Sequence, residues 1–561
     1  MFSDPVVGRD FFGRADVLET LRKRVEAFSS GYRQNVALIG HQKLGKTSVL
    51  HQLLQNLDKA SVLPVYVELR SGRLDSFADQ FIRSVLFEYL RRKESIDALE
   101  SYEALVRLAR RFIPATVQEI EKVQADLRRQ DRESAYSRLF ELTSLIHKET
   151  GTRCVVVLDE FHRLGELGIR NAFQIFGRRI MLQKDTLYLI SSSSYTISRL
   201  ILAEKLSLLF GNFERIHLEP FSFETSKKFI ENKLDPVRVS EDLEKHLIAL
   251  TNGHPFFLNV ITAKMRQLAL LDNRNAAGID LVVEALKQLF FDSEGVLNQY
   301  FVNLTARWSP VKGKADCLLL LVHLAQTGNK LKELAAAIQK SPRETSRQLK
   351  ELLDAEVILK NGVFYHFHDN LFHFWLKFVY QPRALSLLVD TPSKAAYFRV
   401  ECRKNIEAFV TASKFGPRKR ILELLKRFRN ELVEFDAKGR QLPVFLDVVE
   451  GAGGEEGPIL ARTPRRNGWI CQVLEKRSTE RDVQDFLRKC GRKGEGAKKV
   501  LFALSGMDPN AKLLAKNKRI WTLNLQKVNT LMDFYGLSKI VLFKENPESA
   551  EPVPASAPAS H

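Results

Sequence analysis

Cysteine is scarce in this chain: five in 561 residues, at Cys154, Cys317, Cys402, Cys471 and Cys490. An odd number with no C-x-x-C pair argues against a disulfide framework and against a cysteine zinc site, and suits a reducing compartment. Long hydrophobic runs are missing too. No window approaches the roughly eighteen uncharged apolar residues of a membrane-spanning helix, so no membrane partner is expected. The opening MFSDPVVGRDFFGR has no apolar signal core. These absences point to a cytoplasmic protein. Acids are in short supply: 67 Asp and Glu stand against 86 Lys and Arg, a net charge of +19 with a pI near 9.6. That balance favours a polyanionic partner such as nucleic acid. The excess is concentrated between 381 and 545, with 33 Lys and Arg against 19 Asp and Glu.

What is present is ordinary for a globular protein: 45% apolar and 27% charged residues. The length exceeds one core, so several domains are expected. Short apolar runs alternate with helical stretches in the first part: NVALIG (35–40), SVLPVYVEL (61–69), RCVVVLDEF (153–161), TLYLISSSS (186–194) and RIHLEPFS (215–222). Buried strands alternating with helices predict a parallel α/β sheet. The pattern turns helical from 223 to about 301, and 313–380 gives three helical pieces and a strand-like VFYHFH. Residues 385–440 read as helical and basic, and 441–545 as mixed α/β. The tail, rich in Pro, Ala and Ser, reads as disordered.

The phosphate-site motif is complete. Gly40, His41, Gln42, Lys43, Leu44, Gly45, Lys46 and Thr47 fit G-x-x-x-x-G-K-[ST] after an apolar strand and at a helix start, with Ser48 following. Backbone amides there cradle phosphate oxygens, Lys46 reaches the β/γ-phosphates and Thr47 takes Mg²⁺. Downstream, four apolar residues end in Asp159 and Glu160. The first acid would organise Mg²⁺ and its waters, and the second would polarise the attacking water. Ser193 and Ser194 end a later strand as candidates to sense the γ-phosphate or hold that water. The cofactors expected are therefore ATP and Mg²⁺.

Further stretches carry a family resemblance. Phe11, Phe12, Gly13 and Arg14, followed by Leu18 and Leu21, resemble the F-x-G-R opening of STAND and origin-recognition-like ATPases, which lies beside the adenine. Asn252 to Leu258, NGHPFFL, resembles the GxP motif of STAND lids, so the resemblance implies nucleotide contacts from Gly253 and Pro255. DNLFHFWLKFV (369–379) resembles a stretch of the archaeal-type ATPase family, which joins an AAA+-like core to a winged helix and a C-terminal nuclease-like domain. Val17 replaces the usual Glu of the opening, and Asn370 a Pro. The resemblance implies an arginine after Gly211, where Asn212 stands; Arg215 is the candidate to substitute as arginine finger. It also implies an α/β P-loop NTPase core (1–222), a helical lid (223–301), a winged helix (302–383), a basic restriction-endonuclease-like domain (384–545) and a tail (546–561).

In the expected winged helix, Ser341, Pro342 and Glu344 spell a helix start. Leu349, Leu352 and Leu353 would face its core. Arg343, Arg347 and Lys350 fall on one stripe, where a recognition helix would meet double-stranded DNA; a solvated helix face is the alternative. NGVFYHFHD would be the wing. In the last domain Asp447 fits the first acid of a PD-(D/E)xK nuclease, but no E-x-K follows. If Gln472 takes the acidic place, Leu474 stands where lysine is needed, and Glu475 and Lys476 fall out of step. A degenerate fold that binds without cutting is expected, with basic clusters at 414–420, 462–466 and 492–499 facing phosphates. Three functions remain open on the sequence: a DNA-associated ATPase, a slow nucleotide-gated switch on a protein partner with self-association open, and an ATP-gated nuclease, which the broken motif disfavours.

Overall fold

The computed structural model describes residues 4–57, 61–70, 72–94, 96–97, 100–202, 213–308, 315–326, 328–385, 391–451, 454, 457–464, 468–491 and 496–543. The stretch 209–212, the tail 546–561 and parts of two basic clusters (465–467 and 492–495) lie outside the described residues. The chain divides into two compact units, one running through Phe221 and including His254–Phe256, the other holding the remainder from Ser222.

The first unit is an α/β P-loop core. It opens with α1 (Ala15–Ser29) and continues through β1 (Asn35–Ile39), α2 (Lys46–Gln55) and β2 (Val62–Glu68). Four helices follow: α3 (Leu74–Leu90), α4 (Tyr102–Ala109), α5 (Pro114–Arg128) and α6 (Arg132–Thr150). Then come β3 (Arg153–Asp159), α7 (Ala172–Leu182), β4 (Thr186–Ser192), α8 (Tyr195–Leu200) and β5 (Phe213–His217). The five strands form one sheet in the order β2-β3-β4-β1-β5, all parallel. Side chains alternate across it with the two-residue period of a strand. Ala37, Ile39, Val156 and Leu158 pack with α3 to α7 in one core, whereas Val36, Leu38, Val155 and Val157 pack with α1 and α2 in another. Both faces are covered, which is why the strands read as continuous apolar runs rather than as alternation. The last strand sits two residues earlier than the 215–222 expected. Leu218 N still donates to Ile39 O at 2.7 Å, and Pro220 then has no N–H to continue the ladder.

The second unit begins as a helical lid: α9 (Phe223–Leu234), a short pairing of β6 (Arg238–Val239) with β7 (Ala276–Ala277), α10 (Glu241–Thr251), α11 (Pro255–Leu271), α12 (Ile279–Leu286) and α13 (Val296–Thr305). Next come α14 (Ala315–Gln326), α15 (Leu331–Ala337), α16 (Pro342–Asp354) and an antiparallel hairpin of β8 (Ile358–Asn361) and β9 (Phe364–Phe367), the connectivity of a winged helix. Ser341 and Glu344 cap α16 reciprocally, and Leu349 and Leu352 are buried while Leu353 is half-buried. Asp369 then caps α17 (Asn370–Trp375), accepting from Leu371 N at 2.8 Å. The apolar residues of this stretch are core: Trp375 donates to Asn298 Oδ1 at 3.0 Å and Phe301 lies 5.5 Å from Phe372.

The chain ends with α18 (Gln381–Leu385), α19 (Thr391–Ser413) and α20 (Pro417–Lys426). A hairpin of β10 (Glu431–Phe435) and β11 (Lys438–Leu442) follows, where continuous helix was expected; burial alternates along β10, with Glu431 and Val433 buried and Leu432 and Glu434 exposed, and the turn is at Asp436 and Ala437, both at positive φ. The final sheet is mixed: β12 (Asp447–Glu450), β13 (Ile459–Arg462) and β14 (Trp469–Leu474) run antiparallel in turn, and β15 (Lys498–Ala503) and β16 (Trp521–Leu523) continue parallel to β14. Helices α21 (Glu480–Cys490) and α22 (Pro509–Asn517) make the crossovers, and α23 (Leu525–Phe534) follows. All five cysteines are free and buried.

Candidate phosphate site

Polar side chains from several elements meet at the carboxyl end of the parallel sheet. Gly40 ends β1 with its N–H on Ser192 O at 3.2 Å, and a β-carbon there would lie 2.7 Å from Leu218 O, so only glycine lets the strand turn into the loop. Lys43 (φ +60°) and Gly45 (φ +93°) complete the bend. Lys46 opens α2, 4% exposed, with Nζ 2.8 Å from both Gly40 O and His41 O. Burial holds its pKa below the usual lysine value, against the opposing charges of Glu160 and Asp159.

Asp159 is the hub, 1% exposed. Its Oδ2 accepts from Thr47 Oγ1 at 2.7 Å and from Tyr66 Oη at 2.9 Å; its Oδ1 accepts from Ser191 Oγ and from Glu160 N at 3.1 Å. Four donors on one buried carboxylate fix its orientation. Burial first, then the Asp159 charge, push the Tyr66 phenol far above its usual value, so it stays a donor. Glu160 adopts φ +57°, a left-handed conformation unfavourable for a residue with a β-carbon. Its Oε2 accepts from Ser193 N at 2.9 Å and Ser193 Oγ at 2.7 Å, and lies 3.3 Å from His162 Nδ1. Among the described residues no hydrogen bond reaches its Oε1.

The opening motif reaches the same loop. Gly13 and Arg14 are both left-handed, and Arg14 Nη2 donates to Leu44 O at 3.3 Å while its guanidinium lies 4.8 Å from the Phe221 ring. Burial lowers the Arg14 pKa to about 10. Phe12 lies 6.3 Å from Phe221, ring to ring. His254 Nε2 is 3.1 Å from Gln42 O and Lys43 Nζ is 4.1 Å from the Phe256 ring. Pro255 is the first residue of α11, and Gly253 has φ +71°. Ser48 Oγ accepts from Val6 N at 3.0 Å, so it ties the N-terminal segment to α2.

The expected residues do not all converge. Ser193 touches Glu160, but Ser194 caps α8 by accepting from Ile197 N at 3.4 Å. Arg215 is exposed midway along the edge strand β5, level with Ala37 and short of the sheet's carboxyl end where the other residues gather. Tyr66, Ser191 and His162 are site residues that motif reading missed. Tyr66 and Ser191 lie near the carboxyl ends of β2 and β4 and His162 follows β3; the signal available was their place near strand ends beside the two acids.

A Mg²⁺ ion fits this chemistry without a cage of carboxylates. Among the described residues no group of three or more His, Cys, Asp or Glu side chains could hold a metal. The Thr47 hydroxyl beside Asp159 would supply one oxygen ligand and one anchored acceptor for metal-bound water, the usual share of protein in Mg²⁺–phosphate sites.

The supposed nuclease positions differ. Asp447 pairs with Arg462 in register and in an ion pair. Through β13 it is level with position 468, four residues from Gln472, or about 13 Å along the strand. Leu474 occupies the place of the lysine. The stripe of Arg343, Arg347 and Lys350 is exposed and makes no hydrogen bond or ion pair among the described residues. The wing, by contrast, is packed. Val363 N donates to Leu432 O at 3.0 Å, Asn361 exchanges two 2.8 Å bonds with Glu434, and a β-carbon at Gly362 would strike Leu432 O.

No helix among the described residues is long and apolar enough to cross a membrane. Comparison with curated proteins finds no match. Among solved structures, the Walker-type ATPase PABY2304 of Pyrococcus abyssi aligns at 16% identity over 67% of this chain and 99% of its own, with a TM-score of 0.46. The Aeropyrum pernix ORC2 protein aligns at 13% identity over 74% and 98%, with a TM-score of 0.44. The Thermotoga maritima RuvB Holliday junction branch migration motor aligns at 16% over 70% and 100%, with a TM-score of 0.35. The model of the AAA ATPase domain family matches residues 10–178, the stretch that holds Lys46, Asp159 and Glu160.

Proposed function

We propose that this chain binds ATP with Mg²⁺, hydrolyses it, and couples its nucleotide state to binding of double-stranded DNA. The observation that carries the reading is the cluster of Thr47, Asp159, Glu160 and Ser193 beside Lys46. Lys46 neutralises the β/γ-phosphates, and Thr47 with Asp159 holds the metal and its waters. The metal draws charge from the phosphoryl oxygens. Glu160, steadied through one oxygen by Ser193, uses the other to take the proton of the attacking water. Arg14 and Phe12 flank the loop as the side of the nucleotide base.

DNA enters the reading through charge. The excess of cations lies beyond residue 380, and Arg343, Arg347 and Lys350 stand free on one face of α16. With the wing engaged by β10 and β11, α16 is the element of this module left to meet a groove. A slow switch acting on a protein partner is the second reading; the mid-strand place of Arg215 favours it, because no arginine of the described core then stands over the γ-phosphate. Cutting is disfavoured by the separation of Asp447 from Gln472.

ATP turnover with and without duplex DNA, at two salt concentrations and with Lys46→Ala as blank, tests the reading. Turnover raised by DNA and lost at high salt is the expected result. Equal silence of wild type and Lys46→Ala would overturn hydrolysis, and turnover indifferent to DNA would favour the switch.

A further inference from the structure

The outer face of α22 is a second and stronger cationic surface than the α16 stripe. This helix sits low on its neighbours because Ala511 and Ala515, both fully buried, are its contacts with the core formed by α21 and the mixed sheet. Leu514 is half-buried against the same core, and the long polar side chains point outward. Lys512 and Lys516 are exposed one turn apart, and Lys518 and Arg519 are exposed in the turn to β16. None of the four side chains makes a hydrogen bond or ion pair among the described residues, whereas neighbouring surface cations such as Arg477 and Lys527 are paired, with Asp508 and Asp436. From Pro509 to Met532 the sequence holds no acidic residue at all.

Helix-dipole compensation explains only part of this. It favours Lys516, Lys518 and Arg519 near the carboxyl end, but it opposes Lys512 near the amino end. Four unpaired cations whose one nearby acid, Asp508, is already paired with Arg477 are costly in self-repulsion unless an anion satisfies them. Lys512 and Lys516 lie four residues, or about 6 Å, apart along the helix axis, and Lys518 and Arg519 extend the row past its end, so several phosphates of one backbone can be met at once. Apolar area is too small for insertion into a lipid surface: Leu513 is the one large apolar side chain exposed on the helix.

We propose that Lys512, Lys516, Lys518 and Arg519 form a sequence-independent docking surface for the phosphate backbone of duplex DNA. This rests on the DNA reading above and locates its main electrostatic contact in the mixed-sheet domain rather than on α16. The test is anisotropy of a labelled duplex of about 30 base pairs against the full chain over a salt series. The variants are Lys512→Gln/Lys516→Gln/Lys518→Gln/Arg519→Gln and, separately, Arg343→Gln/Arg347→Gln/Lys350→Gln. The quadruple variant is expected to lose at least ~10-fold in affinity for any sequence. Its slope of log affinity against log salt should fall by about 3 to 4, at roughly 0.9 per phosphate, while DNA-free ATP turnover is unchanged. Wild-type affinity and slope in the quadruple variant, with loss in the α16 variant, would overturn this surface and leave the DNA reading intact. A wild-type chain that ignores duplex DNA would remove the DNA reading itself. Binding to phosphatidylserine vesicles but not to DNA would reassign the surface and overturn the proposal.

Discussion

The two sheets of this protein put polar residues at strand ends in opposite ways. In the parallel sheet, Asp159, Ser191 and Lys46 are buried, close together and fully partnered, each on a different element. In the mixed sheet, Asp447 is half-exposed and tied to the nearest arginine across one strand pair, and the place for its catalytic partner is four residues away. Burying polar groups costs free energy that only mutual hydrogen bonding offsets. Convergence of buried polar groups therefore singles out the first edge as the place where the proposed chemistry would occur. A carboxylate at a strand end without that convergence marks a fold and nothing more.

That contrast can be broken by substitution. The largest effect is expected from Lys46→Ala, with ATP affinity, measured by calorimetry, falling about 100-fold or more; retained affinity would place the phosphates elsewhere. Tyr66→Phe removes one donor from Asp159 and is expected to weaken metal binding by about tenfold, in the range of outer-shell partners, read as Mn²⁺ binding to the nucleotide complex by electron paramagnetic resonance. Unchanged Mn²⁺ binding would make the 2.9 Å Tyr66 contact incidental.

His246 offers a smaller effect in the second unit. Both its ring nitrogens are buried without a partner, against Phe409, and burial lowers its pKa to about 4. A depressed folded-state value means that its contribution is intact above the unfolded pKa of about 6.5 and is lost as pH falls toward 4. Between pH 7 and pH 5 this one group should cost about 2 kcal/mol at ~1.4 kcal/mol per unit. Urea melts of wild type and His246→Leu should differ in that pH slope; parallel slopes would show that the ring is hydrated. The smallest effect is expected at Asp447→Ala, with no change in ATP turnover and no metal-dependent DNA cutting to lose.

The same contrast explains what could be read in advance. The phosphate loop and the pair Asp159-Glu160 were legible because local chemistry dictates their spacing, and the parallel sheet because strands covered on both faces are uniformly apolar. Tyr66 was not legible, since it meets Asp159 across 93 residues of chain and nothing in VLPVYVE marks its hydroxyl for use. Ser193 and Ser194 are identical in sequence terms, and only the turn into α8 gives one to Glu160 and the other to a helix cap. The β10–β11 hairpin was hidden among basic helical neighbours because it is short, exposed on one face and built by a two-residue turn of Asp and Ala. The wing was recognisable as a hairpin, but its burial against that second hairpin depends on a pairing no local pattern announces.

The central claim is that Glu160, held by Ser193, acts as base in a site that binds ATP without it. The most direct measurement is ATP binding and ATP turnover side by side in wild type and Glu160→Gln. The account predicts ATP bound at least as tightly by the variant, with turnover lower by about 10²- to 10³-fold, the range of general-base loss. Turnover in Glu160→Gln equal to wild type would contradict it.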